Sequence, residues 1–324
     1  MADDFETGGS KLYAALARSF ADDPLVAEIV GDHKPRWEAP LRLFGGVHYL
    51  ELAGVVSHPW LKFRGVLESR REWLARFVAE QPVQTNEVQR CWGLLPGFLT
   101  VASGRPVDLI ELGPSGGLNL YWDRYRYRYG DVVWGAPDAP LELAGEARNG
   151  PPPELLATEV EVRRRVGIDR RPVDVTTDHG SRLLQAFVWA DQGSRLDRVR
   201  RAIELAQADP PELMEGDYVE VLPAVLERRD LDALTVVYDS ASTVYLRDDA
   251  VSRLREVIAS DGARGSLAWV SYEIGDDEQI GYRGFALEAQ TWPGGERQRL
   301  ARLDGHANWL EWLGGDPVGG GWRG

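Results

Sequence analysis

The sequence lacks several features that define large classes of protein. It has one cysteine in 324 residues, Cys91, which excludes an intrachain disulfide and a zinc site built from four thiolates. Its five histidines form neither an HExxH motif nor a His-x-His pair, and no G-x-x-x-x-G-K-[ST] sequence is present, so we expect no metal site and no P-loop. No run approaches the roughly 18 apolar residues of a membrane-spanning helix. The first ten residues are acidic without an apolar stretch, so we expect no signal peptide and a cytoplasmic location.

Basic residues are outnumbered by acidic ones. The 51 Asp and Glu against 37 Lys and Arg give a formal charge of -14. Such a field repels nucleic acid and anionic membranes, so the expected partner is a small molecule. Residues 125–129 (YRYRY) interleave aromatic rings with arginine, as surfaces that stack nucleotides do. At this net charge, we interpret the segment as a structural β-hairpin with one aromatic and one cationic face.

The spacing of apolar residues divides the chain into a helical part and an α/β part. Up to residue 105, apolar residues recur at spacings of three and four, as in Leu12, Leu16 and Phe20, which predicts amphipathic helices. After residue 106, short apolar runs alternate with helical stretches, which is typical of a mostly parallel sheet covered on both faces. We therefore predict a helical domain over residues 1–105 that covers the crevice of an α/β domain over residues 106–324. A hairpin insertion is expected at about residues 121–160.

Five strands are predicted in the α/β part, at residues 107–112, 160–168, 213–216, 234–238 and 266–273. Helices are predicted between them, at residues 181–189, 194–208 and 247–260. The segment from Gly281 to Leu303 predicts an antiparallel hairpin at the edge of the sheet, followed by an amphipathic segment at residues 307–313.

A glycine cluster directly after the first predicted strand is the strongest local signal. Glu111 and Leu112 end the strand, and Gly113-Pro-Ser115-Gly-Gly117 follows. Glycines at such a turn let backbone amides approach a ligand, and the start of the next helix carries a partial positive charge. The pattern favours a nucleotide or another anionic or carboxylate-bearing group, although any tight strand-to-helix connection can require glycine.

Acidic residues close three later strands. Asp169, Asp217 and Asp239 follow the second, third and fourth predicted strands. In a doubly wound sheet these carboxyl ends line one crevice, where an acid after the second strand can accept both ribose hydroxyls and an acid after the third can meet an adenine amine. Each acid taken alone is also typical of a turn or a helix N-cap.

This arrangement resembles the class I methyltransferases, which use S-adenosylmethionine and have a Rossmann-like fold. The resemblance spans residues 106–273 and implies that this cofactor binds here. It differs at two points, because Ser115 stands at the central glycine position and Asp169 lies 58 positions after Glu111. The implied roles are the methionine end for Glu111, Gly113, Ser115 and Gly117, the ribose for Asp169, the adenine for Asp217, and the border of the substrate pocket for Asp239 and Ser240.

Longer phrases resemble a bacterial family of unknown function, number 2332. They include VHYL (47–50), QTNEV (84–88), ELGPSGGLNLYWDRYRYRYG (111–130), GIDRRPVDV (167–175) and WADQGSRLDRV (189–199). This resemblance spans most of the chain and implies no established activity. It suggests that the polar residues Gln84, Asn86 and Glu87 belong with the glycine loop and contact substrate, although Asn86 is equally a candidate N-cap.

The favoured activity is methyl transfer to a small polar acceptor. Asp239 and His48 are the candidate bases for an acceptor that must lose a proton. One alternative is a non-catalytic protein that binds a nucleoside or other small molecule on the same fold. The other is a serine hydrolase, because residues 113–117 satisfy G-x-S-x-G and the order Ser115, Asp239, His306 matches nucleophile, acid and base.

Overall fold

The computed structural model describes residues 2–275 and 284–317. The chain forms two compact units. One, the helical unit, comprises Met1–Asn86 and Val173–Ile203, and the other, the sheet unit, comprises Glu87–Pro172 and Glu204–Gly324.

The described residues form helices and strands in the following order along the chain. The helices are α1 (Ala2–Thr7), α2 (Lys11–Ser19), α3 (Pro24–Val30), α4 (Glu38–Leu52), α5 (Phe63–Ser69), α6 (Arg71–Glu80), α7 (Arg90–Ala102), α8 (Pro153–Leu156), α9 (Asp178–Ala186), α10 (Gly193–Ala208), α11 (Tyr218–Glu227) and α12 (Asp248–Gly262). The strands are β1 (Val107–Leu112), β2 (Arg126–Tyr129), β3 (Val132–Trp134), β4 (Glu142–Ala144), β5 (Glu146–Arg148), β6 (Val162–Asp169), β7 (Glu212–Glu215), β8 (Leu234–Ser240), β9 (Leu267–Ile274), β10 (Phe285–Trp292), β11 (Arg297–Leu303) and β12 (Trp309–Pro317).

The helical unit is built around an aromatic core that α4 crosses. Two glycines inside α4 allow close contacts, because a Cβ at Gly45 would lie 2.9 Å from the ring of Phe187 and one at Gly46 would lie 3.0 Å from the ring of Phe77. Glycine normally weakens a helix interior, by about 1 kcal/mol relative to alanine. Here the space it leaves is filled by aromatic rings, which explains an intact helix across the glycine pair.

The main sheet of the sheet unit has nine strands in the order β5-β12-β11-β10-β9-β8-β1-β6-β7. The five strands β7, β6, β1, β8 and β9 are parallel, β10 to β12 add antiparallel pairs, and β5 pairs parallel to β12. From β1 the chain adds β6 and β7 on one side and then β8 and β9 on the other. The order of strands therefore reverses at β1, which is the position where ligands bind in open α/β sheets, outside the carboxyl ends of the strands.

The boundary between the units differs from the predicted boundary at residue 105. Helix α7 belongs to the sheet unit, because its glycines let it lie directly on the sheet. A Cβ at Gly93 would be 2.7 Å from the ring of Tyr272, and one at Gly97 would be 2.9 Å from Val270. The segment Val173–Ile203, which we assigned to the α/β domain, belongs to the helical unit.

The tyrosine-arginine segment forms a small sheet of three strands, β3-β2-β4. Tyr127 and Tyr129 are buried, while the guanidinium groups of Arg126 and Arg128 both pair with Glu142 on β4. Arg126 and Arg128 thus share one carboxylate within the chain, while the interleaved tyrosines pack in the interior, as expected for a structural ribbon.

The antiparallel hairpin predicted near the C-terminal end is present as β10 and β11, but it does not form the edge of the sheet, because β12 and β5 extend the sheet beyond β11. Residues 281–283, at the start of that prediction, lie outside the described residues. The amphipathic segment at residues 307–313 contributes to strand β12. Helix α11 was not predicted, since Pro223 interrupts its helical pattern of apolar residues. Within the described ranges, no helix has the length and apolar composition needed to cross a bilayer.

Candidate ligand site at the carboxyl end of the sheet

The loop after β1 contains three residues in the left-handed region of backbone conformation. Gly113, Ser115 and Gly117 all have positive φ, at 72°, 55° and 74°. The loop is also held closely by its neighbours, since a Cβ at Gly113 would lie 2.7 Å from the Cβ of Ser242 and one at Gly117 would lie 2.9 Å from Pro211. Glycine is therefore required at both positions for two reasons: the backbone has positive φ, and the neighbouring atoms leave no space for a side chain.

Most amides of this loop donate hydrogen bonds within the chain. The N–H of Gly113 donates to the carbonyl of Ile168 at 2.9 Å, and that of Gly117 donates to the carbonyl of Pro114 at 2.9 Å. The N–H of Ser115 donates to Oδ2 of Asp169 at 2.9 Å. Gly116 is buried, and within the described part of the chain its N–H has no partner. Gly116 is therefore the residue of this loop whose N–H keeps no acceptor among the described residues.

Glu111 lies at the end of β1 and is only 2% exposed. The hydroxyl of Tyr238 on the neighbouring strand β8 donates to its Oε2 at 3.0 Å, and Asn119 also donates to its carboxyl group. Burial raises the pKa of Glu111 to about 8, although these hydrogen bonds lower it. This raised pKa favours the protonated, neutral form of Glu111 at neutral pH.

Asp169, at the end of β6, has a partner for each carboxylate oxygen. Besides the N–H of Ser115, it accepts the N–H of Arg171 on Oδ1 at 2.8 Å. Its backbone carbonyl accepts the N–H of Gly216 at 2.8 Å, which joins the ends of β6 and β7. Asp169 thus fixes the glycine loop, and a ribose at this position would share its oxygens with two backbone amides.

Asp217 is the N-cap of α11. Its Oδ1 accepts the N–H of Val219 at 3.0 Å, and its Oδ2 forms an ion pair with Arg170. This is the N-cap role that the residue type also predicted. Arg170 donates twice to Oδ2, so an adenine amine at this residue would share Oδ1 with the N–H of Val219.

Asp239 and Glu111 point to opposite faces of the sheet. Asp239 follows Tyr238 in β8, and successive side chains of a strand alternate between faces. Tyr238 contacts Glu111 and Phe98 of α7, whereas Asp239 accepts hydrogen bonds from Trp269 Nε1 at 2.7 Å and Ser271 Oγ at 3.0 Å on β9. Asp239 is fully buried, on the face that α11 and α12 cover.

Asp239 belongs to a pair of buried acids that sequence reasoning missed. The other is Glu273, at the end of β9, whose Oε1 accepts the N–H of Thr243 at 2.6 Å. Burial raises the pKa of Asp239 well above its usual range, and the nearby Glu273 raises it further. The alternation of Trp269, Ser271 and Glu273 along one predicted strand was the available signal.

Ser240 and Arg90 connect this region to α7. The guanidinium group of Arg90 donates to the carbonyl oxygens of Ser240 at 3.0 Å and Gly305 at 2.9 Å. The hydroxyl of Ser240 is buried and has no hydrogen-bond partner among the described residues. A buried hydroxyl without a partner is costly, and it is a group that a polar ligand could satisfy. Arg90 was not predicted, because nothing in its local sequence distinguishes it.

His48 lies in the helical unit. Its Nδ1 is placed between the carbonyl oxygens of Val188, at 2.9 Å, and Ala186, at 3.3 Å, so Nδ1 carries the proton and donates. Burial lowers the pKa of His48, although these hydrogen bonds raise it. The structure thus gives His48 a structural hydrogen-bonding role, which any role as a base would have to accommodate.

The polar residues of the QTNE segment divide between the units. Gln84 and Asn86 belong to the helical unit, Glu87 belongs to the sheet unit, and all three side chains are buried. The prediction that Asn86 caps the following helix is wrong, because α7 begins at Arg90. Glu87 accepts the N–H of Gln89 at 3.2 Å instead, and its carboxylate lies 3.8 Å from Nδ1 of His306.

One feature of the structure matches the serine hydrolase alternative. Ser115 has the positive φ that a nucleophile elbow requires. However, the hydrogen-bond donors to Asp239 are Trp269 and Ser271, and His306 lies beside Glu87. These contacts therefore do not pair Asp239 with His306, the predicted acid and base. Over the described residues, no group of three His, Cys, Asp or Glu side chains is placed to hold a metal ion.

Comparison with known proteins identifies a family but no activity. A family model described as an uncharacterized protein conserved in bacteria (DUF2332) matches residues 1–312. No curated protein shows significant similarity to the chain.

Proposed function

This chain belongs to the bacterial family DUF2332, and we propose that it is an S-adenosylmethionine-dependent methyltransferase with a Rossmann-like sheet unit. The observation that carries the proposal is the position of the glycine loop. Residues 113–117 follow the strand at which the strand order reverses, and three of them have positive φ. A nucleoside ligand is the usual occupant of this position in open parallel sheets.

The residues at this edge fit the cofactor in part. Gly116 offers a buried amide, and Ser240 offers a buried hydroxyl without a partner within the described ranges. Asp169 is placed at the end of the strand where a ribose-binding acid is expected, and each of its oxygens keeps one lone pair beyond its amide partner. Asp217 fits less well, because Arg170 already pairs with it.

When bound, S-adenosylmethionine supplies an electrophilic methyl group, and the transfer is a direct displacement. The contribution of the chain is then to orient donor and acceptor and to exclude water. The raised pKa of Glu111 favours its protonated form at neutral pH, and a protonated carboxyl group can donate a hydrogen bond where an ionised carboxylate could only accept one. Burial also raises the pKa of Asp239, so it acts as a base only if substrate binding lowers that pKa.

The binding experiment is calorimetry with S-adenosylmethionine and S-adenosylhomocysteine on the wild type, Gly113→Val and Gly104→Val. Gly104 is a matched control, since it also has positive φ, at 77°, but its Cβ direction is open. We expect Gly113→Val to weaken binding by at least about tenfold, equal to about 1.4 kcal/mol, while Gly104→Val binds as the wild type does. Absence of binding by the wild type at about 1 mM of either ligand would contradict the proposal.

A second candidate is a non-catalytic nucleoside-binding protein on the same fold. The observation that favours it is that Asp169 and Asp217 both serve internal contacts. Tight binding of S-adenosylhomocysteine, together with no methyl transfer from labelled S-adenosylmethionine to extracted small molecules, would support it. Covalent labelling of Ser115 by a fluorophosphonate would favour a hydrolase over both.

A further inference from the structure

The helical unit contains a cavity that the proposed function does not use. It has a volume of about 730 Å³ and lies among α2, α3, α4 and α5. Small-molecule sites usually have volumes of about 300–1,000 Å³ and mostly apolar walls. Apolar side chains line this cavity, among them Leu16, Phe20, Val26, Val30, Phe44 and Phe63.

Two basic groups at the cavity have no strong partner. Arg36 lines it and is exposed, and within the described residues its guanidinium group has neither a hydrogen bond nor an ion pair. His33 also lines it, and its buried Nε2 has no hydrogen-bond partner in the described part of the chain. The nearest acid, Glu38, is 3.8 Å from that nitrogen and is hydrogen-bonded to Arg42.

Two further charged residues line the same cavity. Arg18 forms ion pairs with both Asp3 and Glu6, so these three residues together carry one negative charge. Asp32 is an exposed acid, which would oppose an anionic ligand placed beside it. The unsatisfied groups are thus one arginine and one buried imidazole nitrogen against one exposed carboxylate, in a chain whose net charge is -14.

We propose that this cavity binds an aliphatic carboxylate. The apolar walls take the hydrocarbon chain, whose transfer from water is favourable in proportion to its length. The carboxylate accepts hydrogen bonds from the Arg36 guanidinium group and from His33 Nε2, which satisfies a buried nitrogen that otherwise lacks a partner. The site lies in the helical unit, so the proposal does not depend on the glycine loop or on any activity there.

Calorimetry with a series of straight-chain acids tests the apolar walls. From hexanoate to decanoate, each added methylene is expected to lower Kd by about fourfold, the equivalent of about 0.8 kcal/mol per methylene. Decanol and decylammonium test the head group, and we expect both to bind more weakly than decanoate. Tighter binding of decylammonium would overturn the assignment, since Asp32 and not Arg36 would then select the ligand.

Variants localise the site. Ala17 lines the cavity from α2, so Ala17→Trp fills it and should abolish decanoate binding. Because a partly buried alanine tolerates a large side chain poorly, Ala27→Trp on the exposed side of α3 provides a second filling variant. Circular dichroism and thermal unfolding identify which of the two remains folded. Unchanged decanoate binding by a folded filling variant would overturn the proposal.

A charge variant tests the head-group contact. Arg36→Gln is expected to raise the Kd of decanoate about fivefold and to leave decanol unchanged. Arg76→Gln is the matched control, because Arg76 is an exposed arginine of the same unit on α6 and does not line the cavity. Equal effects of the two variants would show nonspecific attraction and overturn the head-group assignment. If no acid binds, the proposal fails. If sedimentation then shows a dimer that Ala27→Trp dissociates, the cavity binds a second copy of the chain instead.

Discussion

The backbone N–H of Ser115 donates to the carboxylate of Asp169 at 2.9 Å, across the ends of two neighbouring parallel strands. Ser115 has a φ of 55°, which is uncommon for a residue other than glycine. The acid that was predicted to meet a ribose therefore also holds the strained residue of the glycine loop. This double use makes the effect of substitutions at Asp169 informative about both stability and binding.

Replacing Asp169 should show how much its hydrogen bonds stabilise the loop. Asp169→Ala removes the acceptors of two backbone amides, and we expect the free energy of unfolding to fall by about 1–3 kcal/mol. Asp169→Asn keeps one acceptor oxygen and should lose about half as much. Urea unfolding measures both. If the alanine variant unfolds at the same urea concentration as the wild type, the contact does not hold the loop.

Gly113→Ala should destabilise the protein more than Gly104→Ala. Both positions have positive φ, which costs alanine about 1 kcal/mol, but only at Gly113 does the new Cβ meet another side chain, 2.7 Å from Ser242. We therefore expect an additional loss of about 1–3 kcal/mol at Gly113. The difference between the two variants in urea isolates the packing contribution. Equal losses would mean that Ser242 moves aside without cost.

Because of Glu111, the free energy of unfolding should fall as the pH rises. The pKa of Glu111 is raised to about 8 in the folded chain, above the value of about 4.3 for an unfolded glutamate. Between these values the folded state binds one proton that the unfolded state has lost, so the free energy of unfolding decreases by about 1.4 kcal/mol for each pH unit. The contribution is complete below about pH 4 and is lost as the pH rises through 8.

Glu111→Gln should remove this dependence. Unfolding in urea at pH 5, 6, 7 and 8 should show a difference between wild type and variant that shifts in favour of the variant as the pH rises. Glu220→Gln, at an exposed position on α11, controls for the loss of a surface charge. A constant difference across this range would show that Glu111 is ionised in the folded protein.

The opposite slope is expected from His48. Its pKa is lowered in the folded chain, so below about pH 6.5 the unfolded state binds a proton that the buried imidazole does not. Stability from this residue is therefore present above pH 6.5 and is lost as the pH falls. His48→Gln, which keeps a donor for the carbonyl of Val188, should flatten the profile between pH 5 and 7, whereas His58→Gln, at an exposed position, should not. Parallel profiles for all three proteins would contradict the prediction.

The strands and the glycine turn were predictable because they depend on local pattern. The apolar run at Val107–Leu112 gave the bounds of β1, and the glycine cluster after it marked the turn. The partners of the acids were not predictable in the same way. Arg170 reaches Asp217 and Trp269 reaches Asp239 only after the strands are placed side by side, and spacing in the sequence does not encode that register.

The units were harder to predict than their elements. The apolar periodicity of α7 resembles that of the preceding helices, and only the contacts of Gly93 and Gly97 with the sheet assign it to the other unit. Likewise, the QTNE segment reads as one motif in sequence, yet the division falls between Asn86 and Glu87. Periodicity identifies an apolar face but not the surface against which it packs.

The pairing of β5 with β12 has a consequence for biosynthesis. Glu146–Arg148 can pair with its neighbour in the sheet only once Trp309–Glu311 has left the ribosome, more than 160 residues later. The outer edge of the nine-stranded sheet thus forms only after residue 311 has been translated, as a contact of high sequence separation. A nascent chain halted before Trp309 would leave β11 with an open backbone edge, which is a template for aggregation.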